Sequence, residues 1–357
     1  MADRVRQQEL EERREAMKKN LQYVMLCTLA ILIFSSCEHK ELCYDHPHMA
    51  TVWVEFDWMD DPDANPEGMC VYFYPMDGKG SMRRFDFKGM MGGHIELAMG
   101  KYRVLCYNND TEAVLFGGTN RFETHMGFTR EGNIFETIYG NAASKAPQAK
   151  DAEDERVVIS PDMMWGCTTT HVEVTEAGLT YICIPESKED EWPDDPVTSP
   201  EMILTLYPHE LVCTYTYEIR NVKGLEHVTQ MCGSLSGMAP SMYFSTEDQG
   251  TECVTLPFEA DSDGESTITG KFYTFGHCPE NDDPHRMLLY VWMDDGNKYY
   301  YGSEGDKFNV TRQVHAAPDE RHVHIIIDGL DLPQPMGDDD FIPSVDDWNE
   351  VNEDVHL

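Results

Sequence analysis

Residues 51–58, TVWVEFDW, place Val52, Val54, Phe56 and Trp58 on one side of an extended chain and Trp53, Glu55 and Asp57 on the other. A period of two marks a strand with one buried face, because successive side chains point to opposite faces of a sheet. The same alternation returns in LVCTYTYEI (211–219). There Leu211, Cys213, Tyr215, Tyr217 and Ile219 oppose Val212, Thr214, Thr216 and Glu218. RHVHIIIDGLDLP then puts Val323, Ile325 and Ile327 on one face. Between these lie the apolar run Met69–Tyr74, which follows the turn DDPDANPEG, and the segment IELAMGKYRVLCYNND. Gly100 divides that segment into two strands, and Tyr102, Val104 and Cys106 share a face. In LLYVWMDDGNKYYYG, Asp295-Gly296 stands between apolar runs and reads as a hairpin turn. Many short strands with Gly, Pro, Asn and Asp between them, and no sustained helical period, predict an all-β sandwich architecture.

The chain has 357 residues and opens with a segment of another kind. In MKKNLQYVMLCTLAILIFSSC (17–37), Lys18 and Lys19 precede a 14-residue apolar run, Leu21 to Phe34, and Ser35-Ser36 stand directly before Cys37. Basic start, short apolar core and small residues are the order of a secretory signal. The run is shorter than the roughly 20 residues needed to span a bilayer core. A small residue before cysteine resembles the bacterial lipobox, which makes Cys37 the expected lipidation site and the protein an exported lipoprotein carrying a palmitate-like acyl anchor. An ordinary cleaved signal and a short anchor helix are the alternatives. Residues 1–16, MADRVRQQELEERREA, mix acids into what should be a short basic region. Translation from Met17, with 1–16 a gene-start artefact, and a long n-region are the two readings.

The domain plan expected from composition is a signal peptide over 1–36, a polar lipid-anchored tether over 37–48 and a β domain over 49–187. A linker over 188–199, a second β domain over 200–335 and an acidic tail over 336–357 complete it. The break rests on ESKEDEWPDDPVTSP (186–200), where acids and three prolines displace the apolar pattern. GNAASKAPQAKDAEDE (140–155) reads as a loop or flexible insertion.

Formal charge is −38, from 27 Lys+Arg against 65 Asp+Glu. Residues 1–36 contribute +1, so the remainder stands at −39. Such an excess repels nucleic acid and anionic lipid surfaces and disfavours both as partners, so no nucleic acid is expected. Of eleven cysteines, nine follow Cys37: Cys43, Cys70, Cys106, Cys167, Cys183, Cys213, Cys232, Cys253 and Cys278. An odd number cannot pair completely. Several fall in apolar strand patterns and read as buried thiols, leaving room for one or two disulfides in an exported protein.

Catalytic and metal motifs are weak. Asp61, Asp63 and Asn65 resemble the start of a calcium loop, but Pro66 stands at the glycine position and Tyr72 at the bidentate glutamate position. His322 and His324 share a strand face without a third ligand in view. GSLSG (233–237) has no serine at its centre and is no nucleophile elbow. No CxxC, zinc-spaced Cys/His cluster, GxGxxG, Walker loop or HExxH occurs. The expectation is no enzyme, no metal and no cofactor, and the Asp338–Asp340 run reads as a solvated linker.

Taken together, the lipobox followed by HKELCYDHPH, then DANPEGMCVYFYP, GKYRVLCYNNDTE, LTLYPHELVCTYTYEI, CGSLSGMAPS, FNVTRQVHAAP and HVHIIIDGLDLP, resemble a Bacteroidales lipoprotein family of unassigned function. That family is similar to the FimB-type fimbrial anchors of the transthyretin-like fimbrial superfamily. The resemblance covers nearly all of residues 37–350. It implies two tandem transthyretin-like β-sandwich domains after a lipoprotein signal peptide, with outer-membrane attachment to the bilayer through the Cys37 lipid. It further implies cell-surface exposure and fimbrial subunits as partners, through strand addition to a sandwich edge. Cys37 is the functional residue it carries over. The acidic tail adds Phe341, Val345, Trp348 and Val351, which either pack on their own domain or dock a partner. A stand-alone surface lipoprotein binding glycan or host protein through exposed aromatics such as Trp192 or Trp348 is the alternative.

Overall fold

The computed structural model describes residues 49–78, 80–135, 146–175, 202–334 and 348–351. The first strands are β1 (Met49–Phe56), β2 (Gly68–Pro75), β3 (Arg83–Lys88), β4 (Gly93–Ala98), β5 (Gly100–Asn108), β6 (Val114–Gly117) and β7 (Met126–Thr129). β8 (Arg156–Val157), β9 (Trp165–Val174), β10 (Met202–Leu206), β11 (His209–Glu210), β12 (Cys213–Lys223), β13 (Val228–Met238) and β14 (Ser241–Tyr243) follow. The last are β15 (Val254–Glu259), β16 (Asp261–Ser262), β17 (Ile268–Thr274), β18 (Met287–Met293), β19 (Lys298–Tyr301), β20 (His322–Asp331) and β21 (Asn349–Val351). A single-turn helix, α1 (Thr311–His315), precedes β20.

A first sandwich packs the sheet β10-β1-β4 against the sheet β11-β9-β5-β2-β3. Val52 and Val54 of β1, the inward residues of the opening alternation, are fully buried between the two sheets with Val71, Phe73, Leu97 and Val104. β2 is apolar without alternation because both its faces are covered. Met69, Val71 and Phe73 enter the sandwich core, whereas Cys70, Tyr72 and Tyr74 face a separate cluster with Leu211, Met242 and Phe244.

The second sandwich packs β16-β17-β12-β20 against β21-β19-β18-β13-β15-β8. Cys213, Tyr215, Tyr217 and Ile219 of β12 and Val323, Ile325 and Ile327 of β20 supply its inner face, as their alternation predicts. Asp295-Gly296 turns the β18–β19 hairpin, with Gly296 at φ 85°, a conformation that favours glycine. The class is therefore all-β and sandwich-like.

Four pairings join strands that the composition break assigns to different domains, among them β11 antiparallel to β9. β10 lies parallel to β1, with Trp53 opposite Ile203. β14 lies antiparallel to β7, and β8 lies parallel to β15. Met202–Leu206 thus belongs to the first sandwich, although it falls in the span read as the second domain. A proline-rich break marks where a chain leaves one sheet, not which sheet the next strand joins. The linker 188–199 itself lies outside the described residues.

Candidate functional site: the sheet edge under the C-terminal tail

β19 is the last antiparallel strand of its sheet, and its free edge is taken by β21. Tyr299, Tyr300 and Tyr301 pair in parallel register with Asn349, Glu350 and Val351. The preceding residue, Trp348, anchors this strand on the outer face of the second sandwich. Its ring centre lies 4.7 Å from that of Trp292, at 84° between planes, and 5.6 Å from that of Tyr290. Phe135, 1% exposed, stacks on its other side at 5.0 Å and 16°. Lys298 Nζ stands 5.9 Å from the ring centre, a cation–π contact in character. Ala146, Ala149 and Ala152 bury their methyls in the same cluster, and Tyr290 Oη donates to the Pro147 carbonyl at 2.5 Å. The small-residue segment read as a flexible insertion is therefore, where described, part of this cover. Its residues are small because they lie against the sheet.

Of the expected tail residues, Trp348 and Val351 are thus packed on their own sandwich, Val351 against its core. Phe341 and Val345 lie outside the described residues, as does Cys37 with the whole segment 1–48. Trp192 lies outside them too.

The opposite sandwich edge is closed differently. β20 is ten residues long and pairs only with β12. Gln313 of α1 holds its outer edge with one amide. Its Oε1 accepts from Ile326 N at 2.8 Å, and its Nε2 donates to Ile326 O at 3.0 Å. A side-chain amide here does what a neighbouring strand's peptide would do, blunting an edge that would otherwise recruit another chain.

The weaker motifs resolve into structure. Asp61 accepts the Trp165 indole N–H at 2.5 Å, tying its turn to β9. His322 lies between Asp319 at 2.9 Å and Glu210 at 3.0 Å, while His324 Nδ1 meets Thr216 Oγ1 at 2.9 Å. Ser234 and Ser236 of the GSLSG segment are buried on β13. A buried polar knot lies where β2 and β5 meet the loop before β7. His125 accepts or donates at Tyr74 Oη, 2.6 Å from Nδ1, and at Tyr107 Oη, 3.0 Å from Nε2. Tyr107 Oη also donates to Tyr72 Oη at 3.0 Å. Burial, with Arg84 nearby, pushes the His125 imidazole down to about 4, so it is neutral at pH 7. Sequence reading missed this knot, whose only signal is a histidine with no alternation around it.

Among the described residues, no helix is long and apolar enough to cross a membrane. Fold and site define an all-β protein of two sandwiches, the second completed by its own C-terminal strand. The chain belongs to the family described as "Domain of unknown function (DUF5119)", whose model matches residues 36–259. It is similar to a Bacteroides ovatus protein named "Putative fimbrium anchoring subunit Fim4B", 26% identical over 273 residues, covering 75% of this chain and 69% of that one. A solved Bacteroides ovatus structure titled "putative adhesin" superposes with TM-score 0.54 at 19% identity, over 89% of this chain and 98% of that one, and shows the shared fold. The fimbrial anchor protein Mfa2 from Porphyromonas gingivalis aligns at TM-score 0.41 and 14% identity, over 78% and 91% of the two chains. The resemblance drawn from the sequence motifs agrees with the family match and with the fimbrium-anchoring name of the Bacteroides ovatus relative.

Proposed function

We propose that this chain is a non-enzymatic cell-surface protein that anchors or joins a fimbria at its base, held in the outer membrane by a lipid on Cys37. The observation that carries the reading is its similarity, over three quarters of its length, to a relative named for fimbrium anchoring. Two physical points support it. A body tethered by lipid at its N-terminus cannot be an interior subunit of a long polymer without dragging membrane along. The edge strands β3 and β4 of its first sandwich also offer backbone donors and acceptors that a neighbour's strand can use, and Phe341 and Val345 remain candidates for contact with such a neighbour.

The test is Cys37→Ala in cells that carry fimbriae. The variant is expected to leave the detergent phase, lose acyl labelling and release fimbriae into the medium. Unchanged partitioning and labelling sink the lipid anchor. If full chain, intact and lipidated, co-purifies with no fimbrial subunit, the fimbrial role fails. A stand-alone binder then becomes the better reading. One observation favours that second reading: Ile203, Trp53 and His94 form a cross-strand row on the outer face of β10-β1-β4, with Ile203 58% exposed and the Trp53 and His94 rings 4.6 Å apart. An aromatic platform of this kind suits a sugar ring, and retention on a glycan array that is lost in Trp53→Ala is its test.

A further inference from the structure

Three histidines from separate parts of the second sandwich meet at one point. His277 follows β17, His285 precedes β18, and His315 closes α1. Their ring centres are 4.7 Å apart for His277 and His315, 5.0 Å for His285 and His315, and 5.8 Å for His277 and His285. Three imidazoles on one tetrahedral ion, with metal–nitrogen bonds near 2.0–2.1 Å, place their ring centres about 5 Å apart.

The hydrogen bonds fix the roles of the nitrogens. His285 is fully buried, and its Nδ1 lies 3.0 Å from the Ser236 carbonyl, so that nitrogen carries the proton. Its Nε2 is then a lone pair, aimed at His315 Nε2 at 2.9 Å, and His315 must donate. An Nδ1–H held by a backbone carbonyl, leaving Nε2 free, is the arrangement that prepares a histidine as a metal ligand. Gly237 makes the approach available: a Cβ at that position would stand 2.5 Å from His285 Nδ1. His277 adds the unexplained atom, because its Nδ1 is buried without a hydrogen-bond partner. Burial holds both His277 and His285 below the ordinary imidazole range, so their lone pairs are free at pH 7. As these distances stand the donors do not yet converge: among the described residues no group of three His, Cys, Asp or Glu is spaced to hold an ion. Convergence requires the His285–His315 pair to open by about 0.5 Å, to the ligand–ligand spacing of a tetrahedral site, and the His277 ring to turn a nitrogen towards that point.

We propose that His277, His285 and His315 form a binding site for a divalent transition metal of the zinc type. The ion replaces the proton shared by His285 and His315, which moves to Nδ1 of His315, so each imidazole binds in its neutral form. The fourth position falls to water in the adjoining cavity of about 170 Å³, lined by His277, His315 and Glu320. Imidazole donors suit zinc, copper or nickel over calcium or magnesium. A chain at −38 raises the local concentration of any cation.

The full chain, purified in detergent with a tag that lacks histidine and stripped with chelator, is titrated with Co²⁺ and then Zn²⁺. One equivalent of Co²⁺ is expected to give the visible absorption of a low-coordinate site, and Zn²⁺ should chase it and raise Tm. His315→Asn removes the bond to buried His285 and should lower the metal-free Tm modestly, leave the circular dichroism unchanged and weaken Co²⁺ binding at least tenfold. His277→Asn should weaken Co²⁺ binding likewise, with the circular dichroism unchanged. An equivalent that survives both substitutions belongs to other donors, such as His322 and His324, and overturns the proposal. Failure of the unsubstituted chain to bind overturns it as well.

Discussion

Trp348 lies face to face on Phe135, with ring centres 5.0 Å apart and 16° between the planes. The two residues stand more than two hundred positions apart in sequence, yet both cover the outer side of β18. The second sandwich is therefore closed from outside by the segment ahead of β8 and by the end of the chain.

Trp348→Ala should remove the tail's main attachment. Trp348 is half-buried, so losing its contact area should cost roughly 2 kcal/mol at about 25 cal/mol per Å². In urea, the midpoint is expected to fall with an unchanged slope. An unmoved midpoint means that the tail does not sit on β19 in solution.

His125 sets an acid limit. Its imidazole pKa falls from 6.5 to about 4 on burial, so the unfolded chain binds a proton that the folded chain refuses. Stability from this group is intact above pH 6.5, is lost as pH falls towards 4, and changes no further below that. The loss amounts to roughly 3 kcal/mol in all. Tyr72, Tyr74 and Tyr107 face the ring and stay protonated throughout, their pKa values raised by burial. Glu155, raised by burial, works in the opposite direction, losing stability as pH rises. The comparison with His125→Gln cancels that contribution. The variant should be less stable at pH 7 but show a shallower pH slope between 6.5 and 4. Parallel slopes for both proteins would show that His125 is already charged.

Cys106 and Cys167 oppose each other on β5 and β9, with their sulfurs 3.3 Å apart. A hydrogen bond from Cys106 holds the Cys167 thiol below its ordinary value, whereas burial pushes Cys106 up. Burial also pushes Cys70 up to about 12 and Cys213 up to about 11. Iodoacetamide on the native protein should therefore alkylate Cys167 ahead of Cys70, Cys213 and Cys232, which wait for unfolding. Peptide mapping of a timed reaction reads the order. Diamide, accepting both thiol hydrogens, should close Cys106–Cys167 and protect both sulfurs. Early labelling of Cys70 would contradict the register of β2, β5 and β9.

The inner faces of both sandwiches were legible in the sequence because a half-buried strand leaves a period of two. Val52 and Val54, Tyr215 and Tyr217, and Ile325 and Ile327 each declare their side locally. What crosses between the halves was not. β8 and β14 are two and three residues long, too short to carry a period. β10 carries Ile203 outward because its outer face is open, which disguises the alternation. The histidine triad was hidden for a related reason. His277, His285 and His315 lie on three different loops or ends, and only the fold brings them together. Trp348 was visible as an anchor, but its position on β19 depends on partners at Phe135 and Trp292 that no local pattern names.

Gln313 offers the last test, and it concerns how the molecule avoids uncontrolled assembly. Its amide occupies both the N–H and the carbonyl of Ile326, in the middle of the longest strand edge described in the second sandwich. Gln313→Ala removes both bonds while leaving α1 free to form, since alanine favours helix. The two hydrogen bonds together contribute about 2 kcal/mol, some of which water recovers at this exposed edge. The larger effect should be on association. With Ile326 already partly exposed, an uncovered edge of β20 is a template for another chain. Sedimentation of the variant at increasing concentration is expected to show dimers and larger species that the unsubstituted chain does not form. Gln313→Glu should behave similarly, because a carboxylate accepts from Ile326 N but cannot donate to Ile326 O. If both variants stay as monodisperse as the parent, α1 covers the edge by packing alone, and the amide adds only local order.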